Sequence, residues 1–237
     1  MQIFELILKI YTLKDINNQD VKEKCTYFID DTMVRDNEFE KIHERIGFKN
    51  YSFNTLYPLK IKEPYTKGGI YELKIRTVDH KLAEFLLENL PNTTTKELKG
   101  LEANVRILEE RPIEKLYSLS PVIIKTHEKK YWKEVMDAEQ YMERIKINLI
   151  KKYNSFFNTK IDENFEMFTS ILIKNKCHIG FKYKGIKLPG DKIELTIAGN
   201  EQAQKLANFA QAVGIGDMGS RGAGFVNAKY IKYKRGD

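Results

Sequence analysis

Residues 214–225 read GIGDMGSRGAGF, a run in which Gly214, Gly216 and Gly219 spell G-x-G-x-x-G. Glycine amides can approach phosphate oxygens closely because no side chain intervenes. A dinucleotide site needs those glycines after a strand and ahead of a helix, with an acidic residue about 20 positions on. Here the order is reversed. Ala203, Leu206, Phe209, Ala210 and Val213 mark a helix before Gly214, and the pattern after Phe225 is a strand. No GK[ST] follows either, so a Walker loop is excluded as well. Two readings stay open on the residues: tight turns in a surface loop, or an anion-binding loop to which Ser220, Arg221 and the basic stretch KYIKYKR contribute.

Proton transfer near neutrality calls for histidine, and there are four. His43 lies four residues after Phe39 and borders an apolar helical stripe, so it fits either a partly buried, satisfied residue or an acid–base group. His80 follows Asp79 at a helix start and reads as a surface or capping residue. His127 and His178 lie in lysine-rich contexts. Metal chemistry has little support: Asp30-Asp31, Glu109-Glu110 and Asp217 stand at no ligand spacing and read as solvated, and HEKK at 127 is not HExxH. Cys25 and Cys177 form no CxxC pair. No metal and no cofactor is expected.

The elements that must carry these residues follow from periodicity. Phe4, Leu6, Leu8 and Ile10 alternate as in a half-buried strand; Val21, Cys25, Phe28, Ile29 and Met33 recur at helical spacing, with Phe39, Ile42 and Ile46 continuing a second stripe. YSFNTLYPL and IYELKIRT read as strands. Asp79 caps a helix through Leu82, Phe85, Leu86 and Leu90 that Pro91 closes, and LEANVRIL is a strand. Strand, helix, strand, strand, helix, strand is the ferredoxin-like βαββαβ unit. After a linker near RPIEKLYSLSP the theme repeats: PVIIKTH as a strand, a helix over 134–154, two strands in HIGFKYKGIKLPGDKIELTIAG, a helix in NEQAQKLANFAQAV and a last strand in FVNAKYIKYK. Residues 156–176 fit no element. The expectation is an α+β protein of two tandem ferredoxin-like domains, 1–114 and 115–237.

Forty Lys plus Arg against 33 Asp plus Glu leave a charge of +7, compatible with a polyanionic partner. Apolar runs are too short to span a bilayer and no signal peptide is visible, so a cytoplasmic protein without a membrane partner is expected.

Gly214-Ile215-Gly216, five residues, then Gly222-Ala223-Gly224-Phe225 resembles the G-Φ-G-x(5)-G-Φ-G loop of the CRISPR-associated endoribonucleases that process repeat RNA, within the repeat-associated mysterious protein superfamily. Ala223 departs from the larger apolar residue usual there. The resemblance runs from MQIFELILKI to KYIKYK. It implies a metal-independent endoribonuclease that cuts precursor CRISPR RNA within its repeats, leaving a 2′,3′-cyclic phosphate, and it places the catalytic histidine at His43, ahead of FKNYSFNTLYPL. Lys49 and Tyr27 match a lysine and a tyrosine found in some members, with Lys49 neutralising charge and Tyr27 orienting a hydroxyl. Gly214, Gly216, Ser220, Arg221, Gly222 and Gly224 are the implied RNA contacts. The other partners in view are an effector complex and a second copy of the chain. The alternative within the superfamily is a non-catalytic subunit that holds CRISPR RNA in an effector complex.

Overall fold

The computed structural model describes residues 1–44, 47–128 and 130–232, the side chains of 42–44 excepted. The N-terminal half runs β1 (Ile3–Thr12), α1 (Val21–Met33), α2 (Asn37–Glu44), β2 (Tyr51–Phe53), β3 (Ile70–Thr77), α3 (His80–Asn89) and β4 (Leu98–Leu108). Its sheet has the order β2-β3-β1-β4, and β1 is antiparallel to both neighbours. The alternation in β1 has its physical outcome here. Phe4, Leu6, Leu8 and Ile10 meet Phe28, Ile29, Leu82 and Leu86 in one core beneath α1 and α3. Asp79 caps α3 by accepting the Leu82 amide at 3.2 Å.

The second half runs β5 (Ile113–Ser118), α4 (Ala138–Phe157), β6 (Phe168–Ile173), β7 (Ile179–Tyr183), β8 (Ile186–Gly190), β9 (Ile193–Ile197), α5 (Glu201–Val213) and β10 (Val226–Tyr230). Its main sheet is ordered β10-β5-β9-β6, and β7 and β8 pair separately as an inserted hairpin. Counted within each half, both sheets follow the order 2-3-1-4, so the chain is two ferredoxin-like repeats.

Three local expectations are corrected. The opening strand of the second half is IEKLYS, in the stretch read as linker: Ile113 and Leu116 point into the core while lysine and glutamate face out. PVIIKTH forms only isolated bridges, Val122 to Asp191 and Ile123 to Asp217. The second strand is β6, inside the unassigned 156–176, where an edge position leaves Thr169, Ser170 and Leu172 exposed and blurs the alternation. Finally, α4 starts at Ala138 rather than 134. Asp137 and Gln140 exchange hydrogen bonds as a capping box there, and residues 132–134 make a separate tight turn.

A buried seam joins the halves. Arg76 of β3 donates to Glu5 (2.6 Å), to the Val226 carbonyl (2.7 Å) and to Asn227 (2.8 Å), with its guanidinium 4.5 Å from the centre of the Phe225 ring. Burial pushes the Glu5 carboxyl up, but Arg76 and Arg106 outweigh it and hold Glu5 below the usual carboxylate range. Ser52 of β2 donates to the Ala212 carbonyl at 2.8 Å.

Candidate active site

Where α5 ends, Gly214 turns the chain at φ 69°, its amide still bonded to the Ala210 carbonyl. Residues 214–225 then fold inward. The Ile215 amide donates to Gly224, Gly224 to Pro121, Asp217 to Ile123 and Gly222 to Gly219, while the Phe225 amide donates to Ser120. The amides of Gly214, Gly222 and Gly224 are thus spent on protein carbonyls. Glycine is required at 224: φ is +60° and a Cβ would stand 1.9 Å from the Ile215 carbonyl oxygen. Ala223, where a larger residue is usual, is buried against Ile123 and Phe181.

Two lysines grip this loop, one from each half, Lys152 buried and Lys22 partly so. Lys152 of α4 donates to the Gly214 carbonyl at 3.0 Å and the Gly216 carbonyl at 2.8 Å. Lys22 of α1 donates to Gly222 at 2.7 Å and lies over the Phe181 ring. Burial lowers both ammonium groups, Lys152 to about 8 and Lys22 to about 7, with Lys192 adding to the effect on Lys22. A third tie is ionic: Arg221 pairs with Asp30 of α1, the two side chains being 15% and 18% exposed. Asp30 is therefore not the solvated carboxylate its sequence context suggested. Asp217 is not either, since it accepts from the Lys125 amide (2.7 Å) and from Asn148 (3.1 Å).

Between the loop and the N-terminal half lies a cavity of about 270 Å³. Phe48, Lys49 and Tyr51 form one wall, Gly216, Gly219 and Ser220 the opposite one, and Lys125 and Lys152 add two further cations against the one carboxylate of the lining, Asp217. Lys49 is half-buried. Burial first, then the Arg221 charge, depress its pKa below the ordinary lysine value, and Asp30 acts against them. His43 lies in α2, four residues before the pocket lining begins at Gly47, and its side chain falls outside the described residues. Tyr27 is 56% exposed on α1, one turn before Asp30. The structure thus brings Lys49, Gly216 and Ser220 to one cavity, sets Arg221 beside them and leaves Tyr27 on the open face of α1.

Sequence reading missed Lys22, Lys125 and Lys152. A signal existed for Lys152, which follows Ile145 and Leu149 at helical spacing and so falls on the buried stripe of α4.

The model for the C-terminal part of the CRISPR associated protein Cas6 family matches residues 108–228. The chain belongs to the Cas6 family. A Cas6 relative, the CRISPR-associated endoribonuclease Cas6 2 of Methanocaldococcus jannaschii, is 24% identical over 213 residues, covering 83% of this chain and 87% of that one. Two solved structures share the fold. One, titled CRISPR associated protein Cas6, has a TM-score of 0.72 at 19% identity and covers 96% of this chain and 99% of its own. The other, titled an RAMP protein binding different RNA substrates, has a TM-score of 0.68 at 16% identity, with 95% and 99% covered. The Cas6 match contains α4, α5 and the glycine loop, whereas Tyr27, His43 and Lys49 lie outside it. Among the described residues, no three His, Cys, Asp or Glu side chains converge as metal ligands, and no helix is long and apolar enough to cross a membrane.

Proposed function

We propose that this chain is an endoribonuclease that cuts precursor CRISPR RNA within its repeats by metal-independent chemistry. The observation that carries the reading is the cationic cavity in a Cas6-family chain, with Lys49 on one wall and the glycine loop on the other, at the end of the segment that leaves the His43 helix. The ribose 2′-oxygen attacks the adjacent phosphorus, so the O2′–P bond forms, the P–O5′ bond breaks and a 2′,3′-cyclic phosphate remains. One proton must leave the 2′-hydroxyl and one must reach the departing O5′. His43 takes part in that proton transfer. Lys49 neutralises the charge gathering on the phosphorane-like transition state, and Tyr27 orients the attacking hydroxyl.

The glycine loop supplies the RNA-facing wall. Gly216 and Ser220 line it, Arg221 ties its edge to Asp30 of α1, and Gly214, Gly222 and Gly224 set its curvature. Repeat RNA in excess EDTA under single-turnover conditions tests the reading. Product ending in a cyclic phosphate is expected, with His43→Ala slowing cleavage roughly 10²–10⁴-fold and Lys49→Ala roughly 10²–10³-fold while affinity changes only a few-fold. Tight binding without cleavage by the unmodified chain would instead describe a non-catalytic CRISPR RNA-binding subunit.

A further inference from the structure

Beside the Lys49 cavity, and sharing Lys125 with it, runs a second and larger groove of about 730 Å³. One wall is a single stripe of α4: Arg144, Ile147 and Lys151 follow one another at i, i+3 and i+7, on a different side from the buried Ile145, Leu149 and Lys152. Lys125, Thr126 and His127 make the other wall, and Val135 and Met136 complete an apolar lining. Both walls are fixed by one residue of the glycine loop. Asp217 accepts from the Lys125 amide on one side and from Asn148 of α4 on the other, and its own amide donates to Ile123. Glu128, the acidic residue at the rim, is paired with Lys130 at 2.8 Å, which leaves Lys125, Arg144 and Lys151 as the local excess of charge.

We infer that this groove holds the unpaired nucleotide next to the scissile phosphate, with its base on Val135, Met136 and Ile147 and its phosphate between Lys125, Arg144 and Lys151. A cavity of this size takes a ligand of nucleotide dimensions. The His127 ring and the apolar side chains of the lining offer faces for a base, and bordering cations that track the backbone hold a single strand without a paired edge to read. The position is the second support, because a strand leaving the Lys49 cavity past Lys125 enters the groove directly. The inference rests on the proposed nuclease reading and assigns that site a second binding subsite.

The test uses the full chain and repeat RNA carrying 4-thiouridine, one position at a time. Crosslinks to the peptides containing Met136 or Ile147 are expected only from the nucleotide flanking the cut. Crosslinks spread evenly along the RNA, or absent from both peptides, overturn the assignment. In parallel, R144E/K151E should weaken repeat binding at least 10-fold at 0.15 M salt. It should also flatten the slope of log K against log salt by about 0.7, the value for one single-strand phosphate contact. Unchanged affinity and slope in a variant that melts like the parent refute the groove while cleavage by the parent keeps the nuclease reading. Loss of binding in the variant, with a parent that binds but does not cut, sustains the groove and sinks the nuclease. A parent that neither binds nor cuts repeat RNA overturns both.

Discussion

The pair formed by Arg221 and Asp30 couples the glycine loop to the pocket lysine in a way that two conservative substitutions can separate. Both side chains are largely shielded, at 15% and 18% exposed, so removing either charge leaves the other poorly solvated. A fully buried pair costs about 3–5 kcal/mol to break in this way. Discounting for the remaining exposure leaves roughly 2–4 kcal/mol, which for a chain of this length is a fall in Tm of roughly 5–15 °C. R221Q and D30N should both show it. Their effects on Lys49 should be opposite. Arg221 lowers the Lys49 pKa and Asp30 raises it, so R221Q should move the Lys49 midpoint up and D30N should move it down. Acetylation of Lys49 as a function of pH, followed by mass spectrometry of its peptide, reads the midpoint without reference to RNA cleavage. General loosening of the fold would expose Lys49 and raise its midpoint in both variants. An upward move in D30N, or no move in either, therefore refutes the electrostatic link.

The two gripping lysines give the fold a pH dependence of definite sign. Their folded pKa values, about 7 and about 8, lie below the ordinary 10.5, so above pH 7 the unfolded chain binds more protons and stability rises with pH. Each lysine contributes up to about 1.4 kcal/mol per pH unit, and the rise should be clearest between pH 7 and 9, before the thiol of Cys25, pushed up to about 12 by burial, begins to act the other way. Urea melts of the parent and of K22M/K152M across that range check it; equal slopes would refute it. In the loop, G224A should cost several kcal/mol because its Cβ meets the Ile215 carbonyl, whereas G185A, at φ +77° with open space around it, should cost only about 1 kcal/mol of backbone strain. Similar melting temperatures for the two variants would mean the loop yields where the contacts say it cannot.

Elements that bury a regular face were legible. β1, α1, α3 and α5 each carry their apolar residues at the period of the element, and the order of elements in the first half followed from them. Legibility failed where tertiary position overrides pattern. β5 is a three-side-chain face interrupted by charges, and β6 exposes residues at an edge, so neither has the period-two signature. For the site, the helix before Gly214 and the strand after Phe225 excluded a dinucleotide loop correctly. What Arg221 and Asp30 do could not be read, because each is neutralised by a residue 191 positions away and no local rule connects them. Asp217 shows the same limit. A carboxylate in a glycine-rich turn reads as solvated until α4 and residue 125 are brought against it.

The ties that hold the glycine loop also set when the cavity can exist. Lys22 reaches Gly222 across 200 positions of sequence, and neither half contains both walls of the Lys49 cavity. Contacts of such long range are the slow ones to form. During synthesis the α1 face waits, complete except for its partners, until the residues beyond α5 have been made and have folded down. The cavity thus operates as a coincidence check: a chain that stops short of the loop lacks the wall opposite Lys49. Under the proposed chemistry, cleavage therefore waits for the glycine loop to dock against the first half.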